Sequence, residues 1–422
     1  MNISLLFDNY KNLFFILYLL TKHSIKYIYY QDSLKLVKDI CNELESFNVT
    51  YIKIIQGICI NSLIFNETQK DYLLKYTNQV PYTLNEKNNN ILNNLEEEGI
   101  VFNSREPINA GIVALVYKGK YKSNNVVIKV LKNDIEIKLK NALDDLYLFG
   151  KLLSFLPFVN KLNLIDFIED NSNIIWDQID FMNELKHINN WLEFSNKVDY
   201  LEVPSVYSEI TNKYNNVLVM NFIEGKYINK LTKEEKNNYA KIIGKINFIA
   251  AFFYGIGHSD MHSGNIMFLE NKIGLIDFGI GYKIGKLEQE AIYNFYKYLF
   301  VENNSYKAAT CLKILSNSKE IYNNLEKDVK EVLLLNTSKI IEEYYYNNPD
   351  VVKFVYYSNK MLSKYNLKLG SALNQVIFCI ASGINLSLSL IDARSNNPNK
   401  EFNDFVLPII KELLQETDFS LD

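Results

Sequence analysis

Apolar side chains recur at three- and four-residue spacing through the first hundred residues, as at Leu34, Leu36, Val37, Ile40 and Leu44. No proline interrupts them before Pro81. That period puts one apolar stripe on a helix face, so residues 1–100 are predicted to be helical. The Asn-rich stretch 85–94 reads either as a loop or as the start of a helix continuing to Glu98. The period then shortens. Residues 113–121 and 125–130 read as two strands joined by a turn at Ser123-Asn124. Helical spacing returns over 133–156, and 164–168 and 174–176 are short apolar strand candidates. Residues 181–194 read as a helix, and 217–222 as a strand ending at the turn Glu224-Gly225. From Lys233 onward helices dominate, interrupted near 255–281, and no internal repeat is visible.

This order predicts an α+β protein, and it matches a bilobal, protein-kinase-like fold behind a helical N-terminal extension. The sections are a helical extension over 1–100, an N-lobe over 101–225 and a helical C-lobe over 226–422. The apolar run 13–20 is too short to span a bilayer and lacks a small-residue cleavage site, so it reads as an amphipathic helix packed on the body. The uncharged stretch 369–391 carries Asn374, Gln375 and Asn385, whose amides would need partners in lipid, so it reads as a buried helix. No transmembrane segment is expected.

Composition narrows the classes. Of the chain, 48% is hydrophobic and 22% charged, which excludes a mostly disordered chain. With 45 basic against 49 acidic residues, a dedicated nucleic-acid binder is not expected. Cys41, Cys59, Cys311 and Cys379 show no zinc or redox spacing, so no zinc is expected and the chain reads as reduced and intracellular. Histidine is rarer in meaning: two of only four, His258 and His262, fall within five residues.

Those two frame the segment His258-Ser259-Asp260-Met261-His262-Ser263-Gly264-Asn265, which is followed by Asp277-Phe278-Gly279. An Asp with an Asn five residues later, then Asp-Phe-Gly after a short apolar strand, is the arrangement of a phosphotransfer loop. Such chemistry needs a carboxylate to orient the incoming hydroxyl, here Asp260. It also needs oxygen donors for Mg²⁺ across the phosphates, here Asn265 and Asp277. The alternating His258, Asp260 and His262 would share one face of a strand, which leaves a transition-metal reading beside this one. Upstream, Asn109, Ala110, Gly111 and Ala114 overlay a glycine-rich nucleotide loop, with small residues admitting backbone N–H groups to phosphates. Lys129 lies near the end of the second strand, an odd choice for packing, and would hold the α- and β-phosphates of ATP. Glu184 is the candidate carboxylate that fixes this lysine. Met220 and Phe222, in the 217–222 strand, would offer backbone groups to adenine.

In this order the motifs resemble the UbiB/aarF-domain (ADCK) family of atypical kinases. Lys53-Ile54-Ile55-Gln56 resembles the family's K-x-G-Q motif, and Gln79-Val80-Pro81 the segment just downstream. Asn109-Ala110-Gly111 resembles its Ala-rich loop, Gln178-Ile179-Asp180-Phe181 with Glu184 its E-x-D-F-x-x-E motif, and 258–265 its H-x-D-x-H-P-G-N loop. The departures are Ile55 for Gly, Gln178 for Glu and Ser263 for Pro. The resemblance implies ATP and Mg²⁺ binding and ATPase or small-molecule kinase activity. It also implies a link to isoprenoid-quinone or lipid metabolism and peripheral membrane contact. Lys53, Gln56 and Asp180 would then gate the site from the extension. Two rivals stay open: a nucleotide-binding pseudokinase scaffold, favoured by Ile55 and Gln178, and a phosphotransferase of the aminoglycoside or choline kinase type, which lacks the extension.

Overall fold

The computed structural model describes residues 3–48, 50–52, 54–55, 67–74, 80, 82–153, 172, 176–347, 350–391, 400 and 402–415. Two compact units divide the chain: Met1–Asn183 with Val206–Phe222, and Glu184–Ser205 with Ile223–Asp422.

In the first unit, α1 (Ile3–Tyr30) and α2 (Ser33–Phe47) form the helical start. Asp32 caps α2 by accepting the Lys35 N–H at 2.9 Å. The apolar spacing read from the sequence becomes the buried stripe Val37, Cys41 and Leu44 of α2, which packs on α1, where Ile16, Leu19 and His23 are buried too. Buried His23 lies 2.8 Å from Glu43. Tyr51 donates its hydroxyl to Asp145 at 2.5 Å, and Asn12 donates to the same oxygen at 3.1 Å, which ties the extension to the helix Ile135–Leu153. The Asn-rich stretch is α-helical from Asn89 onward. Asn88 accepts the Ile91 N–H at 3.1 Å and so caps the helix Asn89–Glu97, because a short amide side chain satisfies a first-turn donor.

The sheet of this unit contains β1 (Val101–Phe102), β2 (Asn109–Ala110), β3 (Ala114–Tyr121), β4 (Asn124–Leu131) and β6 (Val217–Asn221). Its order is β1-β3-β4-β6, with β2 also on β3, and every pairing is antiparallel. The β3–β4 hairpin turns at Lys122 and Ser123, both at positive φ, one residue earlier than the sequence suggests. Two such residues give the turn the twist that matches the strands. Alternation sends Leu115, Tyr117, Val126, Ile128, Val130, Val217 and Val219 to one face, where they pack with Leu92, Leu95 and Ile210. Residues 164–168 and 174–175 lie outside the described residues; Trp176 is helical rather than extended.

The second unit starts inside the helix Phe181–Ser195, whose residues from Glu184 onward pack with it. It holds β5 (Leu201–Glu202), β7 (Ile256–His258), β8 (Ile266–Leu269), β9 (Lys272–Leu275) and β10 (Gly281–Lys283). β8 and β9 form a hairpin with β5 parallel to β9, and β7 pairs with β10. Helices Lys233–Ile249, Lys286–Phe300 and Ser371–Leu390 build the core beneath. Among the described residues Ser371–Leu390 is the helix long and apolar enough to cross a membrane, and 56% of its apolar window is buried in this core.

Candidate active site

In the first unit, candidate residues lie on one face of the sheet. Register aligns Asn109 with Val116, Val116 with Lys129 and Lys129 with Leu218. Residues directly opposite in antiparallel strands share a face. Ala114 with Leu131, and Val127 with Met220, lie on this same face, opposite to the apolar core. Lys129 is therefore buried (7% exposed) on the side of the sheet that the core does not use. Ala110 pairs with Leu115 and points into the core instead, so within the loop only its backbone is placed to meet a ligand. The loop is closed by Gly111 N–H donating to Ala114 O at 2.9 Å. A Cβ on Gly111 would meet only Ala114 O, at 3.6 Å, so the loop's own packing does not demand glycine there. Val80 N–H donates to Ala110 O at 2.8 Å, which fastens the preceding segment to β2. Phe222 N–H donates to Asn125 O at 2.9 Å, continuing the ladder, so this N–H is committed to the sheet. The ring of Phe222 lies 3.6 Å beneath the Lys118 ammonium.

Just after β4 sits a charged cluster that gave no sequence signal. Lys132, its side chain 1% exposed, lies 3.5 Å from Glu86, and Lys138 lies 2.7 Å from the other oxygen of the same carboxylate. Burial pulls the Lys132 pKa down, against the opposing pull of Glu86. Burial alone would raise the Glu86 pKa, but Lys138 and Lys132 outweigh it and hold the carboxylate ionised. Asn133 donates to Asn85 O and Lys87 O at 3.0 and 2.9 Å, so the segment 83–87 is held to the chain just after β4.

In the second unit, candidate residues lie on the loop between β7 and β8 and on the turn after β9. His258 is fully buried and donates Nε2–H to Asp277 O at 2.5 Å. Burial, the largest influence, holds its pKa below the usual 6.5 despite Asp260 and the Asp277 bond, so the ring is neutral. His262 Nδ1 accepts the Gly264 N–H at 3.0 Å, which leaves the proton on Nε2, 3.6 Å from Asp260 Oδ2. Asn265 donates its amide nitrogen to Asp260 O at 2.9 Å and lies 3.5 Å from Asp260 Oδ2. Its backbone carbonyl accepts from Ile276 N–H at 3.0 Å, which brings Asn265 beside Asp277. Asp277 Oδ1 accepts from Gly279 N–H at 2.9 Å. Glu184 accepts from Phe278 N–H at 3.2 Å, and His187 donates to Phe278 O at 3.1 Å. Tyr282 of β10 lies across Gly257 of β7; a Cβ there would sit 2.1 Å from the tyrosine ring, so only glycine admits this pairing.

The structure thus brings Asp260, Asn265, Asp277 and Glu184 together in one unit, and Ala114, Lys129 and Met220 onto one face of the other. His258 and His262 do not form a metal site: one is a buried donor to a carbonyl, the other a backbone acceptor. Among the described residues no three His, Cys, Asp or Glu side chains gather as a ligand set. Asn265 and Asp277 are oxygen donors, and because the Asn265 nitrogen is committed to Asp260, its oxygen is the atom left for a cation. One carboxylate and one amide suit Mg²⁺, which takes few protein ligands and completes its shell from phosphates and water. Asp180 caps the helix Phe181–Ser195 by accepting the Met182 N–H at 2.9 Å. Lys53 and Gln56 lie outside the described residues. His187 was legible as one of only four histidines, whereas Glu86 and Lys132 gave no sequence signal.

Residues 78–311 match the family model described as the ABC1 atypical kinase-like domain. A probable protein kinase UbiB of Tolumonas auensis is 28% identical over 169 residues, covering 38% of this chain and 31% of that protein. An uncharacterised chloroplastic aarF-domain protein kinase of Arabidopsis thaliana is 24% identical over 253 residues, covering 56% of this chain and 46% of that protein. The chain thus spans less than half the length of these two relatives. Rv3197 of Mycobacterium tuberculosis, solved with erythromycin, superposes with a TM-score of 0.48 at 16% identity, covering 88% of this chain and 95% of that one.

Proposed function

This chain belongs to the ABC1 atypical kinase-like domain family and has its α+β, protein-kinase-like fold, and from that premise we propose that it binds ATP with Mg²⁺ and transfers the γ-phosphoryl group to water or to a small molecule. The observation that carries this reading is the hydrogen-bonded constellation of residues 258–279, in which Asp260 is anchored by Asn265 and Asp277 by His258 and Gly279. Each group has a task. Asp260 orients, and accepts the proton of, the attacking hydroxyl or water. Asn265 and Asp277 would hold the cation, which when bound neutralises charge on the phosphate oxygens. Lys129 holds the α- and β-phosphates, and the backbone of 109–114 cradles them. Met220 and the Phe222 carbonyl bound the adenine pocket. Neutral His258 fixes the carbonyl of Asp277 and takes no part in proton transfer.

The acceptor we propose is a lipid or isoprenoid-like molecule at a membrane surface. The support is α1, where Phe14, Leu17, Tyr18, Ile25, Ile28 and Tyr29 are all exposed. Their spacing puts them on one helix face, with aromatic hydroxyls and Lys26 at its margin, the pattern of a helix lying in an interface. Lys53, Gln56 and Asp180 are proposed to gate the site from the extension, which fits its attachment through Val80 to the nucleotide loop.

Thermal unfolding with ATP, with and without Mg²⁺, tests the reading. Ligand binding raises the melting temperature by mass action. The wild type should gain several degrees with MgATP, and Asp277→Asn should lose the Mg²⁺-dependent part. ATP hydrolysis by Asp277→Asn at the wild-type rate would show that the metal ligand is wrongly assigned. No response of the wild type to saturating nucleotide would remove the reading altogether.

A further inference from the structure

The helical part of the second unit forms a pocket of about 170 Å³ that opens to solvent on one side. Its walls are apolar and aromatic: Phe248, Tyr296, Phe300, Ile377, Ile380 and Leu388. The Tyr296 hydroxyl is paired with that of Tyr345, so the interior offers water no unsatisfied partner there. Exposed Asn385 and half-buried Tyr344 also line it and put polar atoms at its rim. An apolar pocket of this size takes a small apolar guest of roughly benzene size. A guest seated there would take apolar wall area out of water and add dispersion contacts.

The wall helix has a second face. From Ser371–Leu390, Cys379 donates its thiol to His258 O at 3.2 Å, and Ser382 donates to Met261 O at 3.2 Å. Gly383 lies against Asn247, which in turn donates to Met261 Sδ at 3.1 Å. The same two turns that line the cavity through Ile377, Ile380, Ala381 and Ile384 therefore hold the loop that carries Asp260. A guest that spreads or seats those wall residues acts on a rigid helix whose opposite side grips the loop.

We propose that this cavity is a binding site for the alkyl end of a small neutral amphiphile, with its polar head at Asn385, and that occupancy is transmitted through the helix to the 258–265 loop. The site is separate from the phosphotransfer groups, and its existence does not depend on the nucleotide reading.

The full chain and 1-hexanol supply the test, with 1,6-hexanediol as the control that would bury a second hydroxyl. Binding is read by calorimetry and thermal unfolding, and the loop by amide hydrogen exchange over 258–265. Ala381→Leu and Ile384→Phe are chosen to fill the cavity. We expect saturable hexanol binding that raises the melting temperature by about 2 °C or more, no saturable binding of the diol, and at least tenfold weaker hexanol binding in the filled variants. Hexanol should change exchange of the loop amides severalfold in the wild type and leave it unchanged in those variants. No saturable binding, equal binding of the diol, or binding that persists in both filled variants would overturn the site. Hexanol binding with unaltered loop exchange would overturn the coupling. Should a filled variant fail to fold, nuclear Overhauser contacts between hexanol and the Ile380 and Leu388 methyls in the wild type decide the location, and their absence counts against it.

Discussion

Gly383 sits in the middle of the helix Ser371–Leu390, where an alanine would ordinarily be preferred by about 1 kcal/mol. The structure reverses that preference. A Cβ at position 383 would lie 2.0 Å from Asn247 Nδ2, 2.4 Å from its Cγ and 2.8 Å from its Oδ1. Asn247 is itself buried (2% exposed) and donates to Ile243 O at 2.8 Å and to Met261 Sδ at 3.1 Å, so it cannot swing aside without losing both. Overpacking of this kind costs about 1–3 kcal/mol, and stranding a buried amide costs about 1–3 kcal/mol more. Set against the helix gain of ~1 kcal/mol, Gly383→Ala should destabilise the protein by about 1–5 kcal/mol. The decisive experiment is the cycle with Asn247→Ala. That change alone should destabilise by about 1–2 kcal/mol through the lost hydrogen bonds and a small cavity. In its background the obstacle is gone, and Gly383→Ala should turn stabilising by ~1 kcal/mol. Urea unfolding followed by tryptophan fluorescence reads all four corners. An additive cycle, or a neutral Gly383→Ala in the wild type, would show that the glycine is not there to admit Asn247.

Three further outcomes follow from the same contacts. His258 is held neutral by burial with its pKa below 6.5, so the folded state binds fewer protons than the unfolded one. Its contribution is complete above about pH 6.5 and is lost as pH falls below that value; His258→Gln, read by melting temperature against pH, should flatten this acid limb, and an unchanged slope would contradict a buried neutral ring. Glu86→Ala should cost about 3–5 kcal/mol because it strands buried Lys132, whereas Lys132→Met, which leaves Glu86 paired with Lys138, should be near neutral; equal losses in denaturant unfolding would refute the asymmetry. Lys129→Ala should abolish most of the MgATP-induced rise in melting temperature while leaving that of the nucleotide-free protein little changed. A large drop without nucleotide and an intact ATP response would make the lysine structural.

The apolar period alone determined the helical start, the β3–β4 hairpin, the strand at 217–221 and the helical second half, because each segment's burial pattern repeats locally at 3.6 or 2 residues. Residue type and spacing, by contrast, single out the candidates for chemistry: Asp260, Asn265 and Asp277 stand within one short stretch, and Lys129 is a charge in an otherwise apolar strand. The tertiary structure decided what no local rule contains. The face that Lys129 occupies follows from the register of four strands, and a shift of one residue would turn it into the core. The Asn-rich stretch became a helix because Asn88 found a backbone donor to accept. The paired histidines, open to a metal reading in sequence, became a buried donor and a backbone acceptor once their neighbours were fixed. Glu86 with Lys132, Gly383 with Asn247, and Cys379 with His258 lie from 46 to 136 residues apart. Such pairs have no period and no spacing, since only the packing of distant segments makes a buried charge tolerable or a missing Cβ necessary.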